Sequence, residues 1–269
     1  MWVSYKSPDL LVSYIETTAY KIDAHIHAHY EFLWFIAGDA SYIIDSGIYQ
    51  LHPGDIIITP PDKLHTISFN STSEYRRFFI QLSPRMLSRM PGRLVKHITS
   101  LDGGEIIPQD TAGECGLYGY YHRLADILKD TRKYTEHDKY LAGLIAQEFA
   151  LAVNKAMKKP GQTEDSFDDP TIAKVKDYLD RNYTREIKLD EMAKSFYMSK
   201  FYLCHRFKDE TGITINDYIA LKRIAAVREL KGNEKGIGDI YRRCGFNDYS
   251  SFYRVIKKYT GMKPSEFFE

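Results

Sequence analysis

The sequence predicts a two-domain α+β protein: a β-barrel followed by a helical hairpin over residues 1–157, a linker at 158–169, and an all-α domain over residues 170–269. Three observations carry this. Between residues 30 and 82, short runs rich in Ile, Phe and Tyr recur at close spacing, as in a barrel or sandwich. In the last hundred residues one helix-turn-helix pattern occurs twice. Between these regions, Lys158 to Asp169 is polar, contains Pro160-Gly161 and lacks periodicity.

The expected strands fall at 30–36, 42–44, 48–51, 56–59, 66–69 and 77–82, and are separated by turn signals such as Ala37-Gly38-Asp39 and Pro53-Gly54-Asp55. Upstream, His25, His27, His29 and Glu31 alternate, so in a continuous strand all four side chains would share one face. Trp34, Tyr42 and Tyr49 could stack on a ligand, although aromatic side chains in strands more often fill a core. Residues 83–115 carry no clear period. Helical spacing then appears in Leu117, Tyr121, Leu124 and Leu128, and again in Leu141, Leu144, Ile145, Phe149, Ala152, Val153 and Met157.

Pro170 suits the first turn of a helix. Leu189–Ser195 is a short helix, Phe196–Met198 a turn and Ser199 an N-cap. The helix from Lys200 buries Leu203 and Phe207, leaving Lys200, Phe201, Cys204, His205 and Lys208 on other faces, and Gly212 ends it. Ile215–Leu230 forms a spacer about 24 Å long, enough to set two reading helices roughly one DNA turn apart. In the second unit, Ile237, Ile240, Tyr241 and Cys244 mark a helical face and Gly245 the left-handed exit from it. Asn247 or Asp248 then caps a helix running to Lys258.

Charge divides with the domains. Residues 170–269 hold 20 Lys+Arg against 14 Asp+Glu, and residues 1–169 hold 17 against 22. The basic surplus therefore lies where phosphates would be met. Cys115, Cys204 and Cys244 have no CxxC spacing, which suits a reducing cytoplasm. No apolar run approaches the ~20 residues of a membrane span, and Met1–Lys6 lacks a signal peptide's pattern. No phosphate loop or nucleophile-base pair stands out.

On Leu189, Ala193, Ser199, Leu203, Phe207, Gly212, Arg223, Gly245, Phe246, Phe252, Gly261 and Pro264, residues 172–268 resemble the DNA-binding domain of the AraC/XylS family of bacterial transcription factors. The resemblance implies base contacts from the outer faces of two helices. These carry Phe201, Cys204 and His205 in the first unit and Tyr249, Ser250, Ser251 and Arg254 in the second, with Lys200, Lys208 and Lys257 alongside. Four residues depart from the family pattern. Tyr197 replaces a small residue, Tyr241 an Ala, Ile256 a Phe and Phe268 an Arg, and the bulk of Tyr241 is expected to push the second reading helix outward or change its tilt.

Residues 20–82 resemble a cupin barrel, the sensor domain of many members of that family. The resemblance places His25, His27 and Glu31 inside the barrel with His65 opposite; these four, with Trp34 and Tyr42 as stacking faces, are the expected ligand-binding residues. The expected occupant is a small polar effector such as a sugar, with no cofactor. If a metal is held instead, three imidazoles and a carboxylate from His25, His27, His65 and Glu31 suit zinc, iron, manganese or nickel. The helical hairpin covers the barrel or forms a homodimer interface. These features together imply a ligand-responsive, sequence-specific regulator binding double-stranded DNA. It is expected to be cytoplasmic, to have no membrane partner and no enzymatic activity, and to work with RNA polymerase as an activator of a carbohydrate or small-metabolite operon. The alternative is a metal-dependent cupin enzyme, an isomerase or dioxygenase, carrying a DNA-binding domain.

Overall fold

The computed structural model describes residues 4–18, 24–44, 47–69, 74–128, 134–157, 169–231 and 240–268. The linker up to residue 168 and the expected helical position Ile237 lie outside the described residues, as does the side chain of Phe268.

The N-terminal strands are β1 (Ser4–Lys6), β2 (Leu10–Thr18), β3 (Tyr30–Ala37), β4 (Ala40–Ile44), β5 (Gly47–Gln50), β6 (Ile56–Thr59), β7 (His65–Phe69), β8 (Glu74–Leu82) and β9 (Glu105–Ile107). They form a six-stranded sheet, β1-β2-β8-β3-β6-β9, and a three-stranded sheet, β5-β4-β7. Alternation along each strand decides what its two faces meet. On β3, Leu33 and Phe35 turn inward to a core shared with Tyr42 and Ile44 of β4, Ile57 of β6 and Ile67 of β7, so the two sheets enclose it between them. Phe32 of β3, Ile56 and Ile58 of β6, and Phe78 and Ile80 of β8 face the other way, under the helices α4 (Tyr118–Ile127) and α5 (Glu136–Ala156).

The six expected strands are all present, and β2, unforeseen, pairs along its whole length with β8. The region without a period, 83–115, folds into α1 (Pro84–Ser88), a 3-10 turn at Gly92–Leu94, α2 (Lys96–Thr99), β9 and α3 (Gln109–Glu114). Such short elements cannot declare a period; distant partners hold them. Buried Asn154 on α5, for example, accepts from the backbone N–H of His97 at 2.8 Å. In the hairpin Leu117, Tyr121, Leu124 and Leu128 are buried as expected, as are Ile145, Phe149 and Val153. Leu144 is not: it is 47% exposed, on the outer side of α5 with Tyr140 and Leu151.

The C-terminal helices are α6 (Pro170–Asn182), α7 (Leu189–Ser195), α8 (Lys200–Thr211), α9 (Ile215–Lys231), α10 (Ile240–Arg243), α11 (Tyr249–Thr260) and α12 (Pro264–Phe268). Asp169 caps α6 by accepting from the N–H of Thr171 at 2.8 Å, and ties it to α8 through Arg206 at 2.6 Å. Val175, Leu203, Phe207, Tyr218 and Phe252 are fully buried in one core. That core extends into the N-terminal half through Ala24, Ile43, Ile48 and Leu64. At this seam the Ser68 hydroxyl of β7 donates to the Gly212 carbonyl at the end of α8.

Candidate nucleic-acid interface and sensor site

Both reading helices begin on side-chain caps. Ser199 accepts from the N–H of Tyr202 at 3.2 Å to start α8, and Asp248 accepts from that of Ser251 at 2.7 Å to start α11. Both end on a glycine in the left-handed region, Gly212 and Gly261. Leu203 and Phe207 anchor α8, and Phe252 and Ile256 anchor α11. The opposite faces are thereby left to solvent. Phe201 is 75% exposed, with its ring 4.4 Å from that of His205. Lys200, Lys208, Tyr249, Ser250, Arg254 and Lys257 are exposed, and Cys204 and Ser251 partly so. Arg254 lies back along α11, its guanidinium 3.2 Å from the Ser251 hydroxyl, and Lys200 pairs with Asp190 at 2.9 Å.

Two of the departing residues fit for physical reasons. Tyr197 has φ 58°, the left-handed conformation that favours glycine, and its side chain is 99% exposed, so the turn accepts it at some backbone cost. Tyr241 is buried rather than obstructive. Its ring stacks on Phe252 at 5.8 Å and meets Tyr249 edge-on at 5.9 Å, so bulk expected to push α11 away instead cements it to α10. Gly245 has φ +91° and lies so close to α6's exit that an added Cβ would sit 2.7 Å from Thr184 Cα.

In the barrel, the expected continuous strand from His25 to Glu31 does not form. His25 makes an isolated bridge with His65, with N–H to carbonyl distances of 3.0 and 3.1 Å, and the chain bends at Ala28-His29 before β3. His29 therefore leaves the group, its Nε2 lying 3.3 Å from the Pro8 carbonyl. His25, His27 and His65 do converge: the ring of His65 is 4.3 Å from His25 and 4.7 Å from His27. Glu31, 4% exposed, lies beneath them. Its Oε1 accepts from the Tyr42 hydroxyl at 3.0 Å and its Oε2 from Gln81 Nε2 at 2.7 Å, and Oε2 is 3.4 Å from His27 Nε2.

Trp34 does not belong to this site. It stands three residues from Glu31, on the opposite face of β3, and packs against Tyr118, Tyr121 and His122. Tyr42 does belong, lying parallel to the His65 ring at 5.9 Å. The sequence reading missed Thr59 and Gln81, which the register places on either side of Glu31, on β6 and β8. A polar side chain at an inward-facing strand position was the available signal.

Burial opposes charge throughout this cluster. It would raise Glu31, but the neighbouring His27, and Arg77 further off, hold the carboxyl well below its usual range. Burial likewise works against a charge on His27, and the Glu31 carboxylate outweighs it, so His27 is raised. His65 is pushed down to about 3 by burial, with Glu31 only partly offsetting it, and is therefore neutral near pH 7.

Two family models match the chain: an AraC-like ligand binding domain over residues 7–97 and a helix-turn-helix domain over residues 192–269. The chain belongs to the AraC family of transcriptional regulators. As a member of the AraC family it is a ligand-responsive DNA-binding regulator, with a β-rich sensor half and a helical reading half. It is similar to the uncharacterized HTH-type transcriptional regulator YdiP of Escherichia coli strain K12, with 22% identity over 99% of this chain and 88% of that one. YijO of the same strain, also an uncharacterized HTH-type transcriptional regulator, is 32% identical over 35% of this chain and 33% of its own length. Among solved structures, apo ToxT K231A from Vibrio cholerae aligns over 97% of each chain at 14% identity, with a TM-score of 0.41.

Proposed function

We propose that this AraC-family chain binds operator DNA as a homodimer and, through RNA polymerase, activates genes for the use of a carbohydrate or another small metabolite. Residues 1–157 sense and dimerise, 158–169 link, and 170–269 read DNA. The observation that carries the reading is the matched pair of capped helices, α8 and α11, each anchored by two buried apolar residues with its polar and aromatic face turned to solvent. Tyr140, Leu144 and Leu151 on the outer side of α5 support dimerisation through that helix. Cys115, Cys204 and Cys244 form no disulfide among the described residues, which suits a cytoplasmic setting, and no described helix is long and apolar enough to cross a membrane. The chain acts by binding rather than by catalysis.

Selection of operators from random DNA, run on wild type and two variants, tests the reading. Arg254 can clamp a guanine through two hydrogen bonds, worth ~1–3 kcal/mol of discrimination, so Arg254→Ala is expected to relax preference at one or two base pairs. Lys208→Ala, which removes a phosphate contact, is expected to weaken all sequences alike. Unchanged base preferences with Arg254→Ala would show that α11 does not read sequence through this residue.

A further inference from the structure

Arg77 is a buried cation that no described carboxylate balances at close range. It is 9% exposed, and its Nε has no hydrogen-bond partner among the described residues. It makes no ion pair among them either, and Glu31 feels its charge without touching it. The guanidinium lies instead over aromatic rings, 5.1 Å from the centre of Phe79 and 6.0 Å from that of Tyr75. Tyr75 is 1% exposed, and its hydroxyl also lacks a hydrogen bond of good geometry among the described residues. Burial raises this phenol, with Arg77 partly offsetting it, so the hydroxyl keeps its proton and remains a donor. A charge and a hydroxyl left unsatisfied out of water are strongly unfavourable unless an acceptor of opposite charge meets them.

Strand parity turns both side chains into the barrel. The register sets Arg77 between Phe35 of β3 and Ile15 of β2, and Tyr75 beside Thr17. Leu33, Phe35 and Ile57, which pack with the three-stranded sheet, are fully buried, whereas the inward-facing Ile15, Thr17 and Phe79 are only partly so. Inward positions that water still reaches mark an opening along β2 and β8, with Arg77 and Tyr75 on its inner wall.

The geometry points to an effector that carries a carboxylate, bound jointly by the Arg77 guanidinium and the Tyr75 hydroxyl. A single cation favours a monoanion. A phosphate dianion would leave one charge uncompensated in the barrel that already holds the Glu31 carboxylate, and a neutral sugar would leave Arg77 unbalanced. Phe69 of β7 packs edge-on against Tyr75 at 4.7 Å and follows Ser68, whose hydroxyl bonds to the end of α8, so a ligand seated on Tyr75 reaches the reading domain through β7. Its role as effector rests on the regulatory reading above; the anion site does not.

Thermal melting of the full chain is followed at constant ionic strength with acetate and propionate, each beside its neutral amide, and with inorganic phosphate and arabinose. Saturable stabilisation by the two carboxylates alone is expected. Tyr75→Phe, which keeps the guanidinium, is expected to weaken it about tenfold. Arg77→Met is expected to abolish it and, without ligand, to melt no lower than the wild type, because an apolar side chain of similar length replaces an unbalanced buried charge. Equal stabilisation by acid and amide, a larger response to phosphate or arabinose, no response to any probe, or an undiminished response in Arg77→Met overturns the site. An Arg77→Met protein that melts below the wild type shows Arg77 to be satisfied within the fold and overturns it too. Saturating propionate is expected to change operator affinity by at least about fivefold, and stabilisation with unchanged operator affinity overturns the effector role. Absence of sequence-specific DNA binding by the wild type overturns the regulatory reading and leaves the anion site standing.

Discussion

At the scale of single residues, much of this molecule is settled by carboxylates that accept several bonds at once. Asp9, just before β2, accepts from Arg85 Nε at 2.9 Å, Arg85 Nη2 at 2.7 Å and the Ser83 hydroxyl at 2.7 Å, joining the start of β2 to α1. The Arg85 and Ser83 hydrogen bonds hold its carboxyl down at about 2, against an ordinary value of 3.8. A carboxylate depressed in the folded state stabilises it fully above its unfolded value, and that contribution fades as the pH falls through the folded one. Thermal melting of the wild type is therefore expected to lose stability between about pH 4 and pH 2 partly through Asp9. Arg85→Ala should make that segment of the curve shallower. Identical slopes would remove Asp9 from the account.

Tyr241 sets the test at the scale of elements. It fills the angle between α10 and α11 by stacking on Phe252, so Tyr241→Ala, which restores the small residue usual in the family, should not relieve a strain. It should open a cavity at a cost of about 3–5 kcal/mol, as for other large aromatic truncations, read as a lower midpoint in urea unfolding. A more stable variant would revive the tilting expected from sequence. The helix-turn-helix units themselves were legible because capping residues, i/i+4 apolar pairs and left-handed glycines are local signals. Strands β3 to β8 were legible because short apolar runs between turn residues are local signals too, whereas β1, β2 and β9 lay outside those runs. The failures were equally physical. His29 left the imidazole group because the chain bends at Ala28-His29, and Trp34 fell on the wrong face because only strand parity relative to Glu31 decides it. The short pieces between 83 and 115 are set by contacts to α5 and β6 that no local pattern announces.

Across the whole molecule, the imidazole cluster inside the barrel, the apolar seam at Ala24, Ile43, Ile48 and Leu64, and the end of α8 at Gly212 are continuous in space. A regulator needs such continuity, because a ligand can shift an equilibrium only by binding two arrangements unequally. In the reading half α8 and α11 both pack against α9, whose 17 residues span about 25 Å. Both helices should therefore enter the major groove on one face of the duplex. Hydroxyl-radical footprinting of the full chain on a selected operator tests this most directly. Two protected stretches per bound chain, centred about 10 base pairs apart on the same face, are the expected result. One protected stretch, or two on opposite faces, would contradict the claim that both helices read DNA together.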